Sequence, residues 1–235
     1  VRKVIDFNKI SKKRILVGMN YFIRNAVSLL KEAKLLEQNK AYNRSFVLCT
    51  LSIEEAMKVV FICMFFHSDL FPQGAINNFL KKFTNHKMKI YFFENWHGRL
   101  WKSLLYARKR KHLSESKKEV KKYYKSYNKA VNDVYGFLSS MNLSSIIELK
   151  LKCLYVDIDE KGNNFCYPIK IPAKVAKSLI FLAQEEIDSV KILRNTFRRS
   201  NAEELSEGLT ALAFKDEIMK YFLEVFKTEE EAMKE

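Results

Sequence analysis

Glycine and proline are scarce, with six Gly and three Pro in 235 residues. So few chain breakers exclude a fold of many short strands joined by tight turns, and they favour long helices. Cysteine is sparse as well. Cys49, Cys63, Cys153 and Cys166 form no Cys-x-x-Cys pair and have no histidine at ligand spacing, which excludes a disulfide scaffold and a zinc finger. Reduced thiols in a cytosol fit best; a Cys153–Cys166 cross-link is the less favoured arrangement. No Gly-rich phosphate loop and no His-Glu-x-x-His motif occurs. No signal peptide is visible, and because the chain begins at Val1 rather than methionine, the true start is expected to be missing or processed. Long uncharged runs are lacking too. The longest apolar tract, Phe46 to Phe66, carries Glu54, Glu55 and Lys58 at its centre, and three charges there would be very costly in a bilayer. A membrane span is therefore excluded, and a cytoplasmic protein is expected.

What is abundant is apolar surface and positive charge. Apolar residues make up 48% of the chain and aromatics 13%, enough for a sizeable core in one domain spanning 1–235. The net charge is +15, from 42 Lys and Arg against 27 Asp and Glu. Such an excess favours a polyanion partner such as RNA, DNA or an anionic membrane, and a solvated lysine coat accounts for it equally well.

Periodicity predicts a bundle of helices. Ile15, Met19, Phe22, Ala26, Leu29, Ala33 and Leu36 recur at three- and four-residue steps and define a first helix over about 9–38. A second, about 41–67, is apolar on nearly every face and must be central. Asp69 to Gly74 is a turn. A third helix, about 75–106, puts Phe79, Phe83, Ile90 and Phe93 on one stripe, with His86 in the gap. A fourth carries Val120, Tyr124, Tyr127, Val131, Val134, Leu138 and Met141 inward. Residues of about 150–171, with Gly162 at the turn and Pro168 on an edge strand, read as a β-hairpin. Pro172 opens another helix to about Arg199, and a last amphipathic helix is expected over about 202–228. The fold class is mainly α: an up-and-down helical bundle with one small β-hairpin insertion.

The second helix holds the chemistry. Glu55 shares a stripe with Leu48, Leu51, Val59 and Ile62, so it replaces a core position. Glu54 and Lys58 stand four apart in the favourable order for an ion pair. A buried carboxylate needs a partner or takes up a proton. His86 is the natural partner, with Lys89 one turn further on. Two readings stay open: a polar clamp that fixes helix register, and an acid/base site in which a histidine beside a carboxylate works near neutral pH.

The residues Asn25, Ala33, Ser52-Ile-Glu-Glu-Ala-Met-Lys58, Phe83-Thr-Asn-His-Lys-Met-Lys89, Lys152-Cys-Leu-Tyr-Val-Asp157, Gly162 and Pro168 together resemble the AbiV-type abortive-infection proteins, a branch of the HEPN superfamily. The resemblance runs from about 20 to 168. It implies a HEPN-like bundle that usually dimerises and acts in bacterial defence against phage, with a phage-encoded protein as trigger or inhibitor. HEPN domains are often metal-independent endoribonucleases acting on single-stranded RNA, so a toxin-like ribonuclease that blocks translation is implied, needing no cofactor and no metal. Carried onto this chain, His86 would be the general base or acid, Glu54 and Glu55 would orient it, and Lys58, Lys87 and Lys89 would hold phosphate. One departure bears on activity: no histidine here has an arginine before it with four to six residues between the two; Arg108 and His112 have only three between them, and it is Lys81 that stands at that spacing from His86. The alternative is a non-catalytic helical dimer that binds RNA or a phage protein through its basic surface. Arg108, Lys109, Arg110 and Lys111, near Tyr106 and Trp101, could grip RNA by phosphate contact and stacking, or be a charged helix end. Arg194 begins an Arg-Asn pair like that of the nuclease motif, but Ser200 stands near where its histidine would fall.

Overall fold

A computed structural model describes residues 10–66, 90, 117–154, 157–158, 165–166 and 168–199. Five helices lie among the described residues: α1 (Lys12–Gln38), α2 (Tyr42–Phe66), α3 (Lys117–Ser140), α4 (Ile146–Lys152) and α5 (Ala173–Arg199). The fold is mainly helical, as the scarcity of glycine and proline requires, and consistent with a HEPN-like bundle. The helices expected over about 75–106 and 202–228 lie outside the described residues, apart from Ile90, which is helical and buried. Among the described residues no helix is long and apolar enough to cross a membrane.

Ser11 caps α1, its side-chain oxygen accepting from Arg14 N at 3.4 Å. At the other end the Asn39 side chain donates to Leu35 O at 2.8 Å, and Lys40 turns the chain at φ 61°. So short a reversal makes α2 antiparallel to α1. Two buried serines set the register. Ser45 Oγ donates to Ala33 O and Ser52 Oγ to Ala26 O, both at 2.8 Å. Each bond is seven residues from the other along both helices, in opposite directions, and the alanines leave room for the serine hydroxyls to reach the α1 backbone.

α2 is central, packing against α1, α5 and α4. Phe46, Phe61, Met19, Ile146, Leu179 and Phe197 are among the largest fully buried side chains. Each such side chain stabilises the fold by about 1.5–3 kcal/mol relative to leaving it in water. α5 is tied to α1 by Lys34 Nζ donating to Gln184 Oε1 at 2.9 Å, and to α3 by Ser178 Oγ donating to Asp133 Oδ2 at 2.9 Å.

The region expected to be a hairpin differs. Residues 146–152 are the helix α4, so Leu151 and Lys152 are helical rather than the start of a strand. The reason is a capping arrangement that outweighs the apolar alternation. Ser145 accepts from Glu148 N at 3.2 Å, and Glu148 Oε2 accepts from Ser144 N at 3.0 Å and Ser144 Oγ at 3.1 Å. Residues 168–170 are likewise not strand. Among the described residues of this region an antiparallel ladder pairs β1 (Asp157–Ile158) with β2 (Phe165–Cys166), with Asp157 opposite Cys166. Its base is closed by Ile169 N donating to Lys152 O at 2.9 Å.

Candidate functional site

The polar groups of α2 are sorted by the face each occupies. Glu54, only 1% exposed, points into the core, where Lys150 Nζ of α4 donates to its Oε1 at 2.7 Å. Glu55 and Lys58 stand on a less covered face and pair with each other one turn apart. The Lys58 ammonium also lies 5.0 Å from the centroid of the Phe22 ring on α1, a favourable cation–π distance.

Two expectations are corrected by this geometry. Lys58 pairs with Glu55, three residues away, and not with Glu54, because Glu54 faces α4 instead. The core position is that of Glu54, and the stripe of Leu48, Leu51, Glu55 and Lys58 is the half-covered side of the helix. The apolar count along the helix could not separate these faces, since nearly every neighbour is apolar.

His86, Lys87 and Lys89 lie outside the described residues, as do Arg108, Lys109, Arg110 and Lys111. Arg194 is on α5, half-buried, with its Nη1 donating to Asn195 Oδ1 at 2.9 Å, well away in sequence from the α2 set. The structure thus brings together Glu54, Glu55 and Lys58, adds Lys150, and sets Arg194 on another helix. Among the described residues no group of three or more His, Cys, Asp or Glu is placed to hold a metal ion.

Two features escape the sequence. Lys150 escapes because apolar alternation predicts a strand from about residue 150, although Ser145-Ile-Ile-Glu148 is a capping-box pattern that signals a helix. Asn43 escaped because a single asparagine near a helix start carries no motif. Its Nδ2 donates to Cys153 O at 3.0 Å and Ile169 O at 2.8 Å, while its Oδ1 accepts from Ile171 N at 2.9 Å. One side chain thereby fastens both ends of the segment between α4 and α5 to α2. Tyr127, expected inward on α3, is buried there, and its phenol is held above its usual range by burial and then by Glu186 and Glu185 of α5. The thiols of Cys49 and Cys63 are raised by burial, and Cys153, also a free thiol, is pushed up to about 12 by the same cause. None of these three cysteines has the electropositive, open setting of a nucleophile.

A family model described as AbiV, of the HEPN group, matches residues 14–178, from the first turn of α1 to the first turns of α5. The chain belongs to the AbiV family. It is an abortive-infection HEPN protein, and the AbiV match contains Glu54, Glu55, Lys58, Lys150 and Asn43, whereas Arg194 lies beyond it. No curated protein and no solved structure matches the chain.

Proposed function

We propose that this AbiV-type protein is a metal-independent endoribonuclease that acts as a homodimer in the bacterial cytoplasm and blocks translation during phage infection. The observation that carries the reading is the pair Glu55–Lys58, half-covered on α2, next to the buried pair Glu54–Lys150. A cation and a carboxylate held one turn apart near the surface suit a phosphate and a proton-carrying partner. In this reading His86 takes the proton of the ribose 2′-hydroxyl as its oxygen attacks the adjacent phosphorus. The 5′-oxygen leaves and takes up a proton, giving a 2′,3′-cyclic phosphate. Lys58, with Lys87 and Lys89, holds the phosphate, and Glu55 orients the base. Glu54, already bound to Lys150, acts only by positioning. RNA that stays intact with wild-type protein, alone and with phage lysate, sinks the reading. His86→Ala and Glu55→Gln should each abolish cleavage while thermal melting stays near that of wild type.

A second reading keeps the RNA or a phage-encoded protein as partner and drops the chemistry. It is favoured by the ion pairs that already engage Glu54, Glu55 and Lys58, and by the lack of any arginine with four to six residues between it and a following histidine. Full phage resistance in a His86→Ala strain would select it.

A further inference from the structure

α1 buries one face against α2 and α5, and its opposite face stays in solvent. Arg14, Val17, Tyr21, Arg24, Ser28, Lys31 and Leu35 follow each other at steps of three and four, and all are exposed. Tyr21 is 63% exposed, a large aromatic side chain left open on a bundle that buries aromatics readily. Arg14 and Arg24 flank it. None of the three cations on this stripe has an ion pair among the described residues, and no acidic residue occurs on α1 before Glu32. Lys12 Nζ lies 5.4 Å from the Phe197 ring, which brings the exposed Arg198 and Arg199 at the end of α5 to the same end of the bundle as Arg14. From Arg14 to Lys31 the stripe runs about 25 Å at 1.5 Å per residue.

We infer that this outer face of α1 is a docking track for single-stranded RNA, with phosphates on Arg14, Arg24 and Lys31 and a base stacked on Tyr21. The inference takes its partner from the ribonuclease reading but needs none of its chemistry. Cations that track a backbone, broken by an open aromatic ring, are what a flexible strand with exposed bases requires. A second copy of the chain fits less well. Val17, Tyr21 and Leu35 are separated by cations, and a two-fold contact would bring like charges together. An anionic membrane fits less well too, because the bulk of the helix's apolar face is already buried in the bundle.

The test is binding of a fluorescent 2′-O-methyl oligouridine, which lacks the attacking hydroxyl, so that docking is read whether or not the protein cleaves. Arg14→Ala/Arg24→Ala/Lys31→Ala should weaken binding by at least about tenfold and reduce the slope of log affinity against log salt by about 2. Tyr21→Ala should weaken it about fivefold or more, while Tyr21→Phe, which keeps the ring, should stay close to wild type. Lys170→Ala/Lys174→Ala/Lys177→Ala removes the same charge from exposed sites elsewhere and should change little. Equal loss in that control overturns the inference in favour of a general lysine coat. Wild-type affinity in the α1 variants overturns it outright. A fall in mass by light scattering that accompanies lost binding makes the face a self-association surface. Loss of binding to phosphatidylglycerol vesicles with RNA binding unchanged makes it a membrane contact.

Discussion

Glu54 and Lys150 show how one residue can be costly and still be kept. Taking either charge out of water costs several kcal/mol, and their contact at 2.7 Å offsets this only while both are present. Lys150→Met should therefore lower unfolding stability by about 3–5 kcal/mol, because it removes the ammonium that faces the buried Glu54 carboxylate at 2.7 Å. Glu54→Leu alone should do the same by stranding the ammonium. The double replacement Glu54→Leu/Lys150→Met should return most of the loss. Urea unfolding of the three variants measures it, and single variants within about 1 kcal/mol of wild type would refute a buried pair. Glu55 and Lys58 are less deeply buried than Glu54, with side chains 17% and 18% exposed, so Glu55→Gln, which keeps the shape of the side chain, should cost less than the Glu54 replacement. A loss of function at Glu55 without a loss of stability, set against a loss of function at Glu54 that tracks its loss of stability, would separate the working residue from the positioning one.

α4 depends on its cap. A seven-residue helix is too short to persist alone, so Ser145 and Glu148 at its start and the docking of Ile146, Ile147 and Leu149 must hold it. The backbone N–H of Ser144 holds the Glu148 carboxyl below its ordinary value of 4.5, helped by the Ser144 hydroxyl and by Lys152. A carboxyl with a lowered folded pKa is protonated more readily in the unfolded chain. Its contribution is present above the ordinary value and is lost as pH falls through the folded one. Glu148→Gln should therefore flatten the acid limb of the stability profile below 4.5 and reduce stability at neutral pH, and a profile identical to wild type would count against the cap. The helices α1, α3 and α5 were legible because a three- and four-residue apolar rhythm survives over seven turns or so, and α2 because a run of that length, apolar on nearly every face, can only be a buried helix. α4 was not, since its Leu149 and Leu151 with the following Cys153 also alternate as a strand does, and only the serine–glutamate spacing breaks the tie. Of the site, the charged trio could be read from cost alone. Lys150 and Asn43 could not, because their meaning lies in contacts about a hundred residues away along the chain.

At the scale of the whole molecule, the three buried thiols report how the bundle opens. Cys49 and Cys63 lie on the central helix, and Cys153 lies at the neck that Asn43 fastens. A disulfide reagent needs an exposed thiolate, and burial denies both exposure and charge, so labelling requires opening. The denatured chain should release four equivalents of thiol, and native protein should label Cys49, Cys63 and Cys153 far more slowly. Where reclosing outruns reaction, the labelling rate follows the free energy of opening, with a tenfold gain for every 1.4 kcal/mol or so lost. Lys150→Met weakens α2 in the middle of the core and should speed Cys49 and Cys63 together. Asn43→Ala removes three hydrogen bonds at the neck, worth about 1–3 kcal/mol in sum with the groups it leaves unpaired, and should speed Cys153 ahead of the other two. That split follows only if the segment joining α4 to α5 can detach while α1, α2 and α5 stay packed. Cleavage-site mass spectrometry of the labelled protein resolves the three rates. Parallel acceleration of all three thiols in Asn43→Ala would mean that the neck and the core open as one cooperative unit, and that the asparagine supports the whole bundle rather than its side segment.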